Sequence, residues 1–265
     1  MKKRLGFIGC GKMASAIIQG IKGNYNGSLT GAEIDTEFAQ AAQKRLEIPV
    51  SVDNKALANR SDIVFIAVKP NQVNDIIEEI KPEITEDKLI VSIAAGVSTT
   101  KIEKIIGRRR VVRIMPNTPA LIKEGMFGIC KGSYAYDEDI EFVSSILRSV
   151  GKVINVQEDQ MDIVTAISGS GPAFFYKVIE DMARAGEKLG LDYEKSLMLA
   201  TQTAIGSAKM IFNRGETPVQ TLIDNVATKG GCTFVGISVM NEENSKKLFN
   251  DVIEQTTIKA NQLGK

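Results

Sequence analysis

The sequence predicts an α/β protein in two parts, a doubly wound parallel sheet followed by an all-helical domain. In the first part, short apolar runs alternate with amphipathic helical patterns, which is typical of a parallel sheet covered by helices. From about Asp159 onward the strand patterns stop and helical spacing remains. At 265 residues the chain is long enough for two ordinary domains. We therefore expect one domain over residues 1–157 and a second over residues 158–265.

Five apolar runs in the first part have the length and flanking residues of buried strands. They are RLGFIG (4–9), LTGAEID (29–35), DIVFIAV (62–68), KLIVSIA (88–94) and RVVRIMP (110–116). The segments KMASAIIQGI, NQVNDIIEEI and TTKIEKII between them have helical spacing. Two further strands, GMFGICKG (125–132) and GKVINV (151–156), are expected at the sheet edge, with a helix over DEDIEFVSSILRSV between them.

The second part contains three long segments with helical spacing, which start at Gln160, Tyr193 and Ser245. Turn residues such as Gly190 separate them. The first segment includes SGSGP, which is better explained by a tight helix crossing than by phosphate binding. Lys177 follows this motif, and a salt bridge explains it better than a catalytic role.

Composition and charge narrow the classes of function. The formal net charge of +1 indicates no general attraction to nucleic acid or to an anionic membrane. The basic residues 1–4 precede an apolar run that is too short for a signal peptide, and no stretch has the length of a transmembrane helix. Three cysteines without a CxxC pair are typical of reduced thiols, so we expect a cytoplasmic protein. The chain has no histidine, which excludes His-dependent triads and zinc sites with His ligands, and we expect no metal.

FIGCGKMASAI (7–17) joins the first strand to the first helix and contains Gly9-x-Gly11-x-x-Ala14. Such glycines permit a tight turn and close approach of a pyrophosphate, whose charge the helix N-terminus stabilises. At the first junction of an alternating αβ half, the motif predicts a Rossmann-type dinucleotide site. The acid that such a site places about 20 positions on is Asp35, with no arginine nearby to meet a 2′-phosphate, which favours NADH over NADPH. Asp35 could equally cap the next helix.

The stretch DNVATKGGCT, residues 224–233, has few large side chains: it contains one acid, one lysine, two adjacent glycines and small hydroxyl or thiol side chains. Glycine allows backbone to approach a ligand closely. Consecutive N–H groups at a helix start, GGCTFVGISVM, would bind a small carboxylate without a buried arginine. Thr233 could orient such a substrate, or it could cap the helix that follows.

The chain resembles the pyrroline-5-carboxylate reductases in motifs that run along its whole length. They are GFIGCGKM (6–13), AVKP (67–70), SIAAGV (92–97), MPNTPA (115–120), SGSGPAF (168–174) and DNVATKGGCT. The first is common to Rossmann enzymes, whereas MPNTP followed by SGSGPA and a late Gly-Gly-x-Thr is far more specific. The resemblance implies reduction of Δ1-pyrroline-5-carboxylate to L-proline with NAD(P)H. It also implies a homodimer interlocked through the helical domains, with possible assembly into a larger homo-oligomer, and an active site between subunits.

The resemblance further implies the roles of individual residues. Those that would hold the cofactor are Ile8, Gly9, Cys10, Gly11, Lys12 and Met13 at the pyrophosphate, Asp35 or Thr36 and Asn54 at the adenosine ribose, Ala67, Val68, Lys69, Pro70, Ile93, Ala94 and Ala95 along the cleft, and Asn225 at the nicotinamide. Gly230, Gly231 and Cys232 would present N–H groups to the substrate carboxylate, and Thr233 would hydrogen-bond the ring nitrogen. The family's loop commonly reads Ser-Pro-Gly-Gly, so Thr228-Lys229-Gly230-Gly231 removes a proline from it.

Two other interpretations stay open. A reductase of a β-hydroxyacid or of another cyclic imine would have a similar build, but a well-placed lysine is missing and Gly-Gly-Cys-Thr is present. A nucleotide sensor or scaffold with an inactive site is a different class, against which intact Gly230, Gly231 and Thr233 argue. NADH binding without turnover of any imine would support the sensor.

Overall fold

The structure is a computed structural model, and it describes residues 2–23 and 25–263. The chain divides into two units. The first runs to Ser170 and takes in the chain from Gln255 onward, and the second covers residues 171–254.

The first unit contains a sheet of eight strands within its described residues. The strands are β1 Leu5–Ile8, β2 Leu29–Ala32, β3 Val50–Ser51, β4 Ile63–Ile66, β5 Leu89–Ser92, β6 Arg110–Met115, β7 Gly125–Lys131 and β8 Gly151–Asn155. Their order is β3-β2-β1-β4-β5-β6-β7-β8, and each neighbouring pair is parallel except the antiparallel β6 and β7. The strand order changes direction at β1, which places the ligand crevice of a doubly wound sheet beyond the carboxyl ends of β1 and β4.

Helices follow most of the strands. They are α1 Lys12–Lys22, α2 Thr36–Leu46, α3 Asn54–Arg60, α4 Val73–Ile80, α5 Thr99–Ile106, α6 Asp137–Leu147, α7 Met161–Val164, α8 Gly171–Lys188, α9 Tyr193–Phe212, α10 Val219–Val226, α11 Cys232–Glu242 and α12 Ser245–Leu263. The sheet is buried on both faces, as a doubly wound sheet requires. Phe7 and Phe65 stack in the core of one face, with ring centroids 4.4 Å apart, while Ile8 and Ile66 belong to the core of the other.

The sequence prediction of the sheet is confirmed for its five central runs, and two details differ. β7 pairs on both sides, so its predicted place at the sheet edge is wrong, whereas β8 is an edge strand. The two-residue strand β3 forms the opposite edge, and it is too short to give an alternating pattern in the sequence.

The helical segment predicted from Gln160 is interrupted in the structure. α7 passes into a π-helical turn over Thr165–Gly169, and α8 begins only at Gly171. Pro172 lies in the first turn of α8 and has no N–H for the preceding turn, which explains the break. Gly169 approaches Met115 so closely that a Cβ there would lie 2.3 Å from the Met115 Cε. Met115 belongs to β6, so this is packing against a strand, and the helix crossing expected of SGSGP stays a prediction.

The second unit buries few side chains. Ala183 and Ala200 are buried between α8 and α9, whereas α10 and α11 bury none of their described residues. Large apolar side chains are exposed instead, including Phe175 at 66%, Met198 at 73% and Phe212 at 68%. An exposed apolar surface of this extent is typical of a protein–protein interface. Among the described residues, no helix combines the length and the apolar character needed to span a membrane.

Candidate functional site

The turn between β1 and α1 has the geometry of a pyrophosphate site. Gly9 has φ of +86°, and a Cβ there would lie 2.8 Å from the Ala67 carbonyl oxygen, so glycine is required. Gly11 is the N-cap of α1, and no atom of the described chain lies within 4 Å of where its Cβ would be. No described side chain caps α1 and its first turn has no acid, so the free N–H groups there fit a dinucleotide phosphate.

The predicted cofactor segments of the first unit begin at the carboxyl ends of adjacent strands. The Ala67 N–H donates to the Ile8 carbonyl at 2.8 Å, and the Ile93 N–H donates to the Ile66 carbonyl at 3.1 Å. The structure therefore brings the segments 8–13, 67–70 and 93–95 to one edge of the sheet. Pro70 begins a short 3₁₀-helix there.

Asn54 and Asp35 both have partners within the protein. Asn54 is the first residue of α3 and donates from Nδ2 to Glu79 Oε2 at 2.9 Å. Asp35 is the N-cap of α2, and its Oδ1 accepts from the Phe38 N–H at 2.9 Å. Thr36 is the first residue of the same helix. The capping interpretation of Asp35 is thereby confirmed, and it leaves open which acid faces a ribose.

Glu33 contacts the turn between β1 and α1, and it was not predicted from the sequence. It follows β2 directly, and its Oε1 accepts a hydrogen bond from the Cys10 N–H at 2.7 Å. The strand ends at Ala32, three residues before the end predicted for LTGAEID. The available signal was the order of the acids: Glu33 comes first after the strand, whereas Asp35 stands where a helix cap is expected.

The Cys10 thiol, in the turn between β1 and α1, is buried and unreactive. Burial raises the pKa of the Cys10 thiol to about 12, and the negative charge of Glu33 acts in the same direction. The backbone carbonyl oxygen of Cys10 accepts a hydrogen bond from Arg45 Nη2 at 2.6 Å. The Cys10 side chain therefore serves as packing beneath the turn, whereas its N–H fixes Glu33.

A second helix start with the same features lies in the second unit, within residues 224–233. Asn225 is in the last turn of α10, so part of this stretch is helical rather than open. Gly230 has φ of +84°, and the Gly231 N–H donates to the Thr228 carbonyl at 2.9 Å, which closes a turn before α11. Gly231 is the N-cap of α11, so the capping role considered for Thr233 is wrong.

The first turn of α11 is free to receive an anion. No described side chain caps it and it contains no acid, so the helix dipole there is uncompensated. Thr233, its second residue, is half-buried. It borders a pocket of about 240 Å³ between α9, α10 and α11, whose other lining residues are mainly aliphatic: Ser207, Met210, Ile211, Val219, Leu222, Ile223, Val226 and Ile237. Cys232 is exposed.

The structure also accounts for Lys177 and for the basic run 108–110. Lys177 forms an ion pair with Asp181 one turn away, as expected for a surface lysine. In the basic run 108–110, Arg109 donates to the Ile84 carbonyl at 2.8 Å and Arg110 pairs with Asp139 at 2.8 Å. These arginines are bound within the protein rather than arranged around an anion.

A buried ion pair fixes the beginning of the helical part. Arg113, on β6, is 4% exposed and its Nη1 lies 2.5 Å from Glu158 Oε1. The other Glu158 oxygen, Oε2, accepts from Thr99 Oγ1 at 2.7 Å. The buried charge of Arg113 needs such a partner because it is removed from water. Glu158 therefore links β6, through Arg113, to α5, through Thr99.

Comparisons with known proteins match the chain over its whole length. A family model described as pyrroline-5-carboxylate reductase dimerisation matches residues 158–263, and one described as NADP oxidoreductase, coenzyme F420-dependent, matches residues 4–96. The pyrroline-5-carboxylate reductase of Methanosarcina acetivorans is 38% identical, over 99% of this chain and 98% of the relative. That of Haemophilus influenzae is 35% identical, over 96% and 93%.

Solved structures give the same result. A pyrroline-5-carboxylate reductase from Coxiella burnetii superposes with a TM-score of 0.92 at 33% identity, covering 100% of both chains. Pyrroline carboxylate reductase of Plasmodium falciparum with NADP bound superposes with a TM-score of 0.88 at 33% identity, also covering 100% of both chains.

Proposed function

The chain belongs to the pyrroline-5-carboxylate reductase family, and we propose on that basis that it reduces Δ1-pyrroline-5-carboxylate to L-proline with NAD(P)H, the last step of proline biosynthesis. The observation that carries this function is the helix start at Gly231, where free N–H groups, an adjacent threonine hydroxyl and the absence of a cap or an acid among the described residues suit a small anionic imine.

The loop and helix start over residues 230–233 hold the substrate carboxylate and orient the ring nitrogen of the substrate. The N–H groups of Gly230 and Cys232 bind the carboxylate, whereas the Gly231 N–H, expected to join them, donates to the Thr228 carbonyl at 2.9 Å. The Thr233 hydroxyl hydrogen-bonds the ring nitrogen. A protonated imine already has the positive charge that favours hydride addition, so the chain needs no strong general acid. This explains how a reductase works with no histidine. The work of the chain is mainly positioning and exclusion of water.

The cofactor site of the first unit is formed by the turn at Gly9 and Gly11 and by residues 67–70 and 93–95, with Asn54 at the adenosine ribose. Asn225 keeps its proposed role at the nicotinamide. The nicotinamide cofactor supplies the hydride when it is bound. The loop between β2 and α2 contains the acids Glu33 and Asp35 and no basic residue, and the first turn of α2 adds Glu37, which supports NADH as the preferred cofactor.

The functional division is a dinucleotide-binding domain over residues 1–157 and a dimerisation and substrate domain over residues 158–265. The exposed apolar side chains of α8 to α11 support a homodimer formed through the helical domain, and assembly of dimers into a larger homo-oligomer is part of the proposal. The three free thiols support a cytoplasmic location.

The first experiment is steady-state oxidation of NADH and of NADPH by the purified protein at saturating pyrroline-5-carboxylate. Turnover with a higher kcat/KM for NADH is the expected result. Binding of NADH without turnover of this or any related cyclic imine would replace the reductase by a nucleotide sensor.

The role of Thr233 is tested with Thr233→Ala and the control Thr233→Ser. Loss of the hydroxyl should lower kcat about 10²-fold with the dissociation constant of NADH nearly unchanged, because the hydroxyl acts on the imine alone. Thr233→Ser keeps the hydroxyl and should retain most of the activity. Equal losses of turnover and NADH affinity in Thr233→Ala would refute this division of roles.

A further inference from the structure

We propose that Glu33 is the residue through which this chain selects NADH over NADPH, by accepting the 2′-hydroxyl of the adenosine ribose and repelling a 2′-phosphate. The proposal rests on the proposed function, since it concerns the cofactor site of the same enzyme. It assigns the selection to one carboxylate of the β2–α2 loop, whereas the sequence motif alone pointed to Asp35.

Two backbone contacts place Glu33 beside the glycine turn. Ala32, the last residue of β2, pairs with Ile8, the last residue of β1. The Gly9 N–H donates to the Ala32 carbonyl at 2.9 Å, so the two chains stay together for one residue beyond the strands. Glu33 therefore leaves the sheet level with the turn that binds the pyrophosphate.

A hydrogen bond then fixes the side chain. Glu33 is half-buried, and its Oε1 accepts from the Cys10 N–H at 2.7 Å. An ionised carboxylate has two oxygens that can together accept about four hydrogen bonds, so the Cys10 contact leaves capacity for a ribose hydroxyl. It has no donor for a phosphate, which is itself an anionic acceptor, and two like charges at this range repel.

The chain segment around Glu33 contains no compensating cation. The sequence has no lysine or arginine from Gly23 to Gln43. Ile34, next to Glu33, is 75% exposed and apolar. Arg45 reaches the turn, but its Nη2 donates to the Cys10 carbonyl at 2.6 Å and to Ser15 Oγ at 3.3 Å, so it is bound to the protein there.

Asp35 is the matched comparison because it is a carboxylate two residues away with a different role. Its Oδ1 caps α2 through the Phe38 N–H at 2.9 Å. Asparagine caps helices as well as aspartate does, so Asp35→Asn removes the same charge from the loop and keeps the cap. Glu33→Gln likewise removes the charge and keeps an oxygen that can accept from the Cys10 N–H.

The experiment measures dissociation constants by titration calorimetry for the wild-type protein, Glu33→Gln and Asp35→Asn. The ligands are NADH, NADPH, ADP and adenosine 2′,5′-bisphosphate; the last two lack nicotinamide and isolate the adenosine end. We expect the wild-type protein to bind NADH at least 10-fold more tightly than NADPH. In Glu33→Gln this ratio should fall at least 10-fold, mainly because NADPH and the bisphosphate bind more tightly. Asp35→Asn should keep the wild-type ratio within about twofold.

Three results would overturn the assignment. They are a wild-type preference for NADPH, an unchanged ratio in Glu33→Gln, and equal changes in Glu33→Gln and Asp35→Asn, which would mean that only the total loop charge matters. If Glu33→Gln does not fold, Glu33→Ser with the two adenosine ligands applies the same criterion. The proposed reductase is judged separately: wild-type protein that selects NADH through Glu33 but does not turn over the imine would refute the enzyme and leave the role of Glu33 intact.

Discussion

Gly31→Ala is the substitution whose consequence the structure defines most closely. Gly31 lies in β2, and a Cβ there would be 2.5 Å from Cys10 Sγ and 3.2 Å from Val50 Cγ2. Cys10 is fully buried, so its thiol cannot move into solvent. Overpacking of this kind costs about 1–3 kcal/mol in the free energy of unfolding. It also displaces Cys10, whose N–H holds Glu33 at the dinucleotide turn.

The clash is with one atom, so removing that atom should relieve it. Cys10→Ala alone should cost about 1 kcal/mol through lost packing. In the double variant the Sγ contact is gone and only the tight approach to Val50 remains. We expect the double variant to lie within about 1 kcal/mol of Cys10→Ala, which makes the two substitutions strongly non-additive.

The assay is thermal unfolding at one fixed protein concentration without cofactor, with the dissociation constant of NADH as a second measurement. At about 2–4 °C per kcal/mol for a domain of this size, Gly31→Ala should lower the Tm by roughly 2–12 °C and weaken NADH binding. Gly23→Ala is the control, because no described atom lies within 4 Å of the new Cβ. An unchanged Tm in Gly31→Ala, or a double variant with the summed losses, would refute the argument.

Two other predictions follow from buried groups. Glu158→Gln removes the nearer of the two carboxylates paired with the buried Arg113 guanidinium and leaves Asp162, whose Oδ1 lies 3.6 Å from Arg113 Nη2. The substitution should lower the free energy of unfolding by about 1–3 kcal/mol, measured by the urea midpoint at fixed protein concentration; a change below about 0.5 kcal/mol would show that the Glu158 charge is not needed. A disulfide reagent at pH 8 should label Cys232 rapidly and leave Cys10 and Cys130 unlabelled, because burial raises the pKa of each of these two thiols to about 12. Both buried thiols should react once the chain is denatured. Rapid labelling of either one in the native protein would contradict the structure.

The sequence predicts the sheet well because its inner strands are buried on both faces and appear as continuous apolar runs. It predicts the outer elements less well. β3 has two residues, and α3 has seven and includes Asn and Arg in its short pattern, so neither gives a clear periodicity. The sequence did not predict α10 because its last residues, Asp224 to Val226, run directly into a stretch of glycines and threonines that is typical of a loop.

The candidate site was predicted where a motif fixes the backbone and missed where the answer depends on a side-chain contact. Gly9 and Gly11 lie where the motif places them: the turn needs glycine at Gly9, whose φ is +86°, and Gly11 leaves open space at the start of α1. Glu33 and Asp35 are both acids at the end of the second strand, and spacing does not separate them. Their hydrogen bonds do: one meets the Cys10 N–H and the other the Phe38 N–H.

The residue before each helix bears on whether the start of that helix can receive an anion. α2, α3, α5 and α9 begin behind Asp or Ser, and each of these side chains accepts from the first turn of its own helix. α1 and α11 begin behind glycine, and no described side chain caps them. An Asp at either of these two positions would satisfy the free N–H groups and place a negative charge at the proposed anion site. Gly11 and Gly231 have φ of −66° and −83°, values that any residue adopts, so glycine serves at both positions for the carboxylate that it lacks rather than for backbone freedom.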